Sequence, residues 1–253
     1  MSLEINREGR VLRLTLSRPE KRNALSVELC TQLADAFDSA QSDSGVGAIL
    51  IDAQGNVFCA GMDLDEVLDA DAAERTAIHE KIFTIGARSL KPIIAAVQGP
   101  ALGGGAGIVA NAHVVVAAQG TSFGLTEIRI AMWPFVIFRA IVDAMGERRA
   151  MELSLTGRIF SAPDAQQYGL VHEIAPAFEL DDRATAIATQ IAESSAEAVR
   201  NGLEFVHGTR NMTADEAGQT ARALRARAFC SADFREGVMA FREKRKPRWP
   251  SIS

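Results

Sequence analysis

The sequence is poor in cysteine and has no excess of basic charge. Its 253 residues include only three cysteines, Cys30, Cys59 and Cys230, with no Cys-x-x-Cys pair. This excludes the usual thiolate zinc motifs and fits a reducing compartment, so we interpret the three as small buried hydrophobic residues. Lys and Arg number 27 against 32 Asp and Glu, giving a net charge of −5. That balance argues against a nucleic-acid-binding surface.

Signals for secretion and membrane insertion are also missing. The first ten residues carry four charges and no apolar signal core. No charge-free apolar run reaches the roughly 18 residues of a membrane span, except for the glycine-rich stretch 95–118. With 47% hydrophobic and 23% charged residues, the composition is that of a globular protein with one main domain. We predict a cytoplasmic protein that does not bind membranes.

Periodic patterns predict an α/β protein with a helical C-terminal part. Alternating Leu12, Leu14 and Leu16 predict a half-buried strand over 11–17 that opens the domain. Ser26 is a predicted N-cap of a helix that ends near 42–45. Further strands are predicted at 48–51, 92–97, 114–118 and near 170–174, and further helices at 184–193, 195–206 and 214–229.

A run of small residues, Gly103-Gly-Gly-Ala-Gly107, lies between two buried segments. We predict a glycine-dense bend at which something approaches the backbone closely. The spacing matches neither a P-loop nor a complete G-x-G-x-x-G fingerprint. Two interpretations remain: the glycines let a helix touch a strand, or the bend exposes backbone N–H donors.

Five motifs occur in order along the chain. They are Arg18-Pro-Glu-Lys-Arg-Asn-Ala-Leu25, Phe58-Cys-Ala-Gly-Met-Asp-Leu64, Gln98-Gly-Pro-Ala-Leu-Gly-Gly-Gly-Ala-Gly107, Phe123-Gly-Leu-Thr-Glu127, and Asp233-Phe-Arg-Glu-Gly237 followed by Phe241-Arg-Glu-Lys-Arg-Lys-Pro247. In this order they resemble the motifs of the crotonase, or enoyl-CoA hydratase/isomerase, superfamily, and the resemblance extends over nearly the whole chain.

The resemblance implies an α/β fold: a crotonase-like spiral of ββα repeats with a C-terminal helical trimerisation region. We expect an acyl-CoA-binding core over 1–195 and an oligomerisation region over 196–253. The implied assembly is a homotrimer or a hexamer built as a dimer of trimers. The implied substrate is an acyl-CoA thioester, so that no cofactor is expected beyond the coenzyme A that the substrate itself carries.

The resemblance also implies a catalytic site. Two backbone N–H groups, those of Met62 and Gly104, are expected to stabilise the negative charge that develops on the thioester oxygen; one such donor is typically worth roughly 100- to 1000-fold in rate. Glu127 lies at the position of a catalytic glutamate. Its apolar neighbours predict a desolvated carboxylate with a raised pKa. The alternative is a solvated surface residue, or one paired with Arg129.

Eight further residues are expected to bind the coenzyme A or acyl parts of the substrate. Lys21 and Arg22 match the motif position of cations near the CoA phosphates, although a solvated basic turn is the alternative. Trp133 and the nearby Phe135 are expected to shorten the acyl pocket. The full predicted set is Lys21, Arg22, Ala24, Ala60, Asp63, Leu64, Gly103 and Trp133.

Gly107 departs from the hydratases of the family, which usually carry a second glutamate there. Hydration ordinarily uses two carboxylates, whereas moving a double bond from the 3- to the 2-position needs only one that takes a proton from C2 and returns it at C4. We therefore rank 3-enoyl-CoA isomerase above enoyl-CoA hydratase. Asp63 or Asp65 are the nearest possible replacements, although helix capping explains them better.

Three other functions stay open at this point: thioester hydrolysis, decarboxylation, and binding of CoA esters without catalysis. The four histidines, His79, His113, His172 and His207, show no metal-ligand spacing, and we assign them no catalytic role. No metal is expected.

Overall fold

The computed structural model describes residues 2–67 and 72–252. The main sheet contains β1 (Leu3–Glu8), β2 (Val11–Leu16), β3 (Ala48–Ala53), β4 (Ile93–Val97), β6 (Val114–Ala118) and β9 (Glu173–Ala175), in the order β1-β2-β3-β4-β6-β9. Strands β1 and β2 form an antiparallel hairpin, and the other pairs are parallel. A second sheet consists of β5 (Ala101–Leu102), β7 (Ser122–Gly124) and β8 (Ile159–Ser161).

Helices enclose the two sheets and form the C-terminal part. They are α1 (Val27–Ser42), α2 (Leu64–Val67), α3 (Ala72–Phe83), α4 (Gly104–Ala110), α5 (Phe135–Met145), α6 (Glu147–Thr156), α7 (Ala162–Tyr168), α8 (Leu180–Ala192), α9 (Ala196–Thr209), α10 (Ala214–Phe229) and α11 (Ala232–Glu243). Short 3-10 helices cover Pro19–Lys21, Glu127–Ile130 and Pro250–Ile252.

The central parallel strands are buried on both faces, which explains their uninterrupted apolar sequences. In β3, Ile49 and Ile51 join the larger core, which includes α1, α4 and α5. Ala48 and Leu50 point the other way, into a smaller core closed by α8. The period-2 geometry of a strand therefore divides one apolar run between two cores.

Most predicted elements are confirmed, including Ser26, whose side chain caps α1 by accepting from the Leu29 N–H at 3.2 Å. The prediction that 11–17 opens the domain is wrong, because β1 precedes it. Four of the six residues of β1 are exposed, so it carries no apolar pattern. The glycine-dense bend is in fact helical from Gly104 onward, since it begins α4.

The C-terminal part contains one more long helix than the three predicted, namely α11. Cys30 and Cys59 are buried as predicted, but Cys230 is exposed, so that interpretation is wrong for one of the three. Within the described ranges no helix is long and apolar enough to cross a membrane. The cytoplasmic location and the oligomerisation role of residues 196–253 stay predictions.

Candidate active site

Two extended segments lie side by side and bring the predicted amide donors together. Cys59 forms a parallel bridge with Ala101, and Leu25 forms another with Met62. Gly61 has a φ of +100° and lies close to the start of α4. A β-carbon on Gly61 would lie 3.5 Å from the Gly104 nitrogen. Met62 is the next residue after Gly61, so it also lies close to the start of α4.

Both predicted donors are available to a ligand. Gly104 is the first residue of α4, and the first N–H groups of a helix have no intrahelical acceptor. Among the described residues, neither the Met62 N–H nor the Gly104 N–H donates a hydrogen bond to a backbone carbonyl. Because Leu25 bonds to the flanking Gly61 carbonyl and Asp63 N–H, the Met62 N–H is left on the opposite side of its segment.

Glu127 is placed by the second sheet. Gly103 donates its N–H to the Gly124 carbonyl at 2.8 Å, which ties the start of α4 to the end of β7. Glu127 follows three residues later, and a β-carbon on Gly103 would lie 3.2 Å from Glu127 Oε1. The absence of a side chain at Gly103, with φ +52°, thus lets the carboxylate approach the start of α4.

The environment of Glu127 is half-buried and differs from that of a solvated surface carboxylate. Burial raises the pKa of the Glu127 carboxyl, and its own backbone N–H offsets only part of that effect. Its Oε2 is buried with no hydrogen-bond partner in the described part of the chain. Arg129 donates instead to the Gly157 carbonyl at 2.6 Å, so the predicted alternative of an Arg129 ion pair is not formed.

A cavity of about 160 Å³ joins these groups, and its walls are mostly apolar. Four of the eight predicted binding residues line it. Its described lining is Leu25, Ala60, Gly61, Met62, Leu64, His79, Phe83, Gly103, Gly104, Thr126, Glu127, Ile130, Met132, Trp133, Pro134, Phe135, Val136 and Ile137.

The other four predicted binding residues do not line this cavity. Lys21 is exposed and pairs with Asp65, Nζ to Oδ2, at 2.7 Å, and Arg22 is exposed beside it. The Ala24 carbonyl accepts from Arg18 Nη1 at 2.6 Å. Asp63 is buried and accepts from Arg18 Nη2 at 3.0 Å. Their roles in binding coenzyme A stay predictions.

The position of Gly107 is filled by neighbouring apolar side chains. A β-carbon there would lie 2.3 Å from Ile137 Cγ2 and 3.1 Å from Phe83 Cδ1. A larger side chain would therefore displace Ile137. The space that a second glutamate would need at this position is occupied by hydrocarbon.

Nearby carboxylates are engaged elsewhere. Asp63 Oδ1 accepts from the Asp65 N–H at 3.2 Å, as expected of a residue before a helix start. Glu66 accepts from the Val27 N–H at 2.8 Å. Glu127 is the only carboxylate lining the cavity within residues 2–67 and 72–252.

His79 is the wall residue that the sequence did not reveal. It is 7% exposed and lies on α3. No motif surrounds it, and the only available signal was its helical spacing of four residues from Phe83. The sequence interpretation that gave it no place in the site missed this position. In contrast, His113 lies outside this cavity, where its Nδ1 accepts from the Ile93 N–H at 2.9 Å.

The family assignment follows from comparisons with known proteins. The family model described as enoyl-CoA hydratase/isomerase matches residues 6–251. A protein of Aspergillus fumigatus described as mevalonyl-coenzyme A hydratase is 37% identical over 94% of this chain and 91% of its own. A probable enoyl-CoA hydratase of Mycobacterium bovis is 35% identical over 97% and 96%.

The fold is shared with solved structures as well. The crystal structure of an enoyl-CoA hydratase from Mycobacterium smegmatis superimposes with a TM-score of 0.93 at 31% identity, covering 98% of this chain and 99% of that one. The fold is that of crotonase-type acyl-CoA enzymes. The chain belongs to the enoyl-CoA hydratase/isomerase family, which confirms the crotonase-like fold predicted from the motifs.

Proposed function

We propose that this enzyme isomerises a 3-enoyl-CoA to the 2-enoyl-CoA, with Glu127 as the single proton carrier. The observation that carries the proposal is the cavity lining, in which Glu127 is the only carboxylate of the described residues. The filled space beside Gly107 adds to it, because it leaves no room for a second acid/base group at that position.

The reaction divides into two proton transfers. The thioester oxygen accepts hydrogen bonds from the Met62 and Gly104 N–H groups, which stabilises the charge that forms there. Glu127 removes a proton from C2, and the C2 electron pair delocalises onto that oxygen, which gives a dienolate that keeps the 3,4-double bond. The protonated Glu127 then delivers its proton to C4, which takes the electron pair of the 3,4-double bond; the enolate pair forms the 2,3-double bond, and the thioester carbonyl is restored. No atom is gained or lost overall.

Burial of Glu127 suits both steps. A raised pKa makes the carboxylate a stronger base for the C–H proton, and the acid that forms is well matched to give the proton back. The proposed reaction uses no metal and no cofactor other than the coenzyme A of the substrate. We also propose that Lys21 and Arg22, exposed outside the cavity, meet its phosphates.

Hydration of a 2-enoyl-CoA is the second candidate. The names of the relatives favour it, since those with 35% and 37% identity are described as hydratases. It requires a group that holds a water molecule against C3, besides Glu127. The assay below separates it from isomerisation by mass alone.

The test incubates the purified enzyme with 3-hexenoyl-CoA and, separately, with 2-hexenoyl-CoA, and identifies products by chromatography and mass spectrometry. We expect conversion of the 3-enoyl ester at unchanged mass. Glu127→Gln should lower kcat by roughly 100- to 10,000-fold. Glu147→Gln, a change at an exposed carboxylate of α6, should leave kcat unchanged.

Three outcomes would contradict the proposal. Gain of one water by the 2-enoyl ester without isomerisation of the 3-enoyl ester would establish the hydratase. Release of free coenzyme A would indicate hydrolysis. Binding of both esters without any turnover would indicate a CoA-ester-binding protein.

A further inference from the structure

The segment that carries the Met62 N–H is held along one side by backbone hydrogen bonds. Leu25 donates its N–H to the Gly61 carbonyl at 2.8 Å, and Asp63 donates its N–H to the Leu25 carbonyl at 3.1 Å. These two bonds flank Met62 and attach its segment to Leu25. They do not by themselves stop the segment from tilting about that line of bonds, and such a tilt would turn the Met62 N–H.

The side chain of Asp63 adds a second attachment. Asp63 is only 5% exposed, and its Oδ2 accepts from Arg18 Nη2 at 3.0 Å. The same guanidinium donates through Nη1 to the Ala24 carbonyl at 2.6 Å. Arg18 therefore bridges the residue before Leu25 and the residue after Met62. Because a guanidinium is planar and rigid, it fixes the separation of the two oxygens that it joins.

Both oxygens of the Asp63 carboxylate have partners within the protein, since Oδ1 accepts from the Asp65 N–H at 3.2 Å. Asp63 does not line the cavity of the site. A buried ion pair is weak evidence for stability, because apolar residues of similar volume often stabilise a fold equally well. What charged partners add is a defined direction of their hydrogen bonds. Next to a predicted donor of the site, that direction has a use.

We propose that Asp63 is a positioning residue that, together with Arg18, holds the Met62 N–H in line with the thioester oxygen. In this role Asp63 does not contact the substrate, in contrast to the binding role expected from the motif. The inference rests on the proposed acyl-CoA site but not on the choice between isomerisation and hydration, since both place negative charge on that oxygen. A misdirected donor loses most in the transition state, where this charge is largest.

Asp63→Asn tests the proposal, because it removes the charge that meets Arg18 but keeps an oxygen that can accept from the Asp65 N–H. The kcat for 3-hexenoyl-CoA should fall by roughly 10- to 100-fold, while KM stays within about threefold. Asp65→Asn is the matched control. It makes the same chemical change two residues later, at a side chain that is 79% exposed, and should leave kcat unchanged.

Infrared difference spectroscopy of a bound ester observes the donor directly. Hexanoyl-CoA, isotopically labelled at its thioester carbonyl, has no double bond, so it neither isomerises nor adds water. In the wild type and in Asp65→Asn, its carbonyl stretch should lie at a lower frequency than in water, since two N–H groups bond to the oxygen. Asp63→Asn should lose roughly half of that shift, because one of the two donors turns away.

A double variant separates positioning from folding. Arg18→Met/Asp63→Asn removes both charges, so that no unpaired charge stays buried. It should remain folded, as measured by circular dichroism. It should also show the same loss of kcat and the same carbonyl frequency as Asp63→Asn. If Asp63→Asn alone does not fold, the double variant decides.

The inference is overturned if these variants keep the wild-type kcat, or if kcat falls while the carbonyl frequency of the bound ester stays that of the wild type. It is also overturned if the wild type does not lower that frequency. Failure of the proposed isomerisation is visible separately, since 3-hexenoyl-CoA would then stay unchanged while hexanoyl-CoA still reports on the donor. Under hydration, 2-hexenoyl-CoA serves for the same comparison of kcat.

Discussion

Glu127 combines two features that the proposed base requires: an apolar surround and, among the described residues, one carboxylate oxygen without a hydrogen-bond partner. Its neighbours in the sequence predicted the first feature. Only the folded chain shows the second, because it depends on Arg129 bonding to the Gly157 carbonyl instead. The environment of this residue therefore determines the pH at which the enzyme is expected to lose activity.

Activity should fall as the pH is lowered. The fall should begin at a higher pH than it would for a carboxylic acid with an ordinary pKa. The base acts in its deprotonated form, and burial raises the pKa of Glu127 above its ordinary value of 4.5. A profile of kcat/KM against pH should thus decline by tenfold per pH unit below the pKa of Glu127. A decline centred at or below 4.5 would contradict the assignment of a desolvated base.

The same shift predicts the stability of Glu127→Gln. A raised pKa means that the folded state favours the protonated carboxyl, so folded stability falls as pH rises from the ordinary carboxyl range through the folded-state pKa. Removing the charge should therefore leave the Tm at pH 7 equal to or higher than that of the wild type. Unfolding could then not explain a loss of activity in this variant.

At the scale of secondary-structure elements, helix α4 shows why this part of the sequence is rich in glycine. A β-carbon on Gly105 would lie 2.3 Å from the Cys59 carbonyl oxygen, which belongs to the backbone. The glycines allow the helix to touch the adjacent extended segment, and they also leave the Gly104 N–H uncovered. Both interpretations of the glycine run from the sequence therefore apply to this helix.

Two glycine-to-alanine changes should have opposite effects on stability. Gly105→Ala forces apart α4 and the segment at Cys59, which should lower the free energy of unfolding by about 1–3 kcal/mol and reduce activity. Gly218→Ala, inside α10 with open space around it, should raise it by roughly 0.5–1 kcal/mol. Chemical denaturation of both variants measures the difference. Equal effects would show that the close contact at Gly105 is unimportant.

The short elements could not be predicted from local patterns. Strands β5, β7 and β8 have two or three residues each, too few to show a period, and they exist because the chain brings them together. Hairpin strand β1 lies at the edge of the sheet and is largely exposed. The long buried strands and helices were predictable because their apolar residues recur at the period of the element.

At the scale of the whole molecule, the C-terminal helices leave large apolar side chains uncovered. Phe241 on α11 is 85% exposed, and Phe229, Phe234 and Met239 are each exposed by more than two-fifths. A second copy of the chain would bury such a surface. The homotrimer or hexamer implied by the family resemblance stays a prediction that this surface supports.

Phe241→Asp should reduce the molar mass in solution from that of a trimer or hexamer toward that of one chain, because it places a charge within the expected contact. Phe178→Asp is the matched control, since Phe178 is 84% exposed but precedes α8, outside the C-terminal helices. It should leave the assembly intact. Light scattering after gel filtration measures both, and a single chain in the wild type would refute the predicted assembly.

The sequence by itself determined the family, the α/β class, the long elements and the identities of Met62, Gly104 and Glu127 as candidates, because those signals lie in contiguous motifs and periodic patterns. Tertiary structure decided which groups share the cavity. It filled the space beside Gly107 with Ile137 and Phe83, engaged Asp63 with Arg18, and brought His79 into the wall. These contacts join residues far apart in the chain, so their energies depend on packing that no local pattern records.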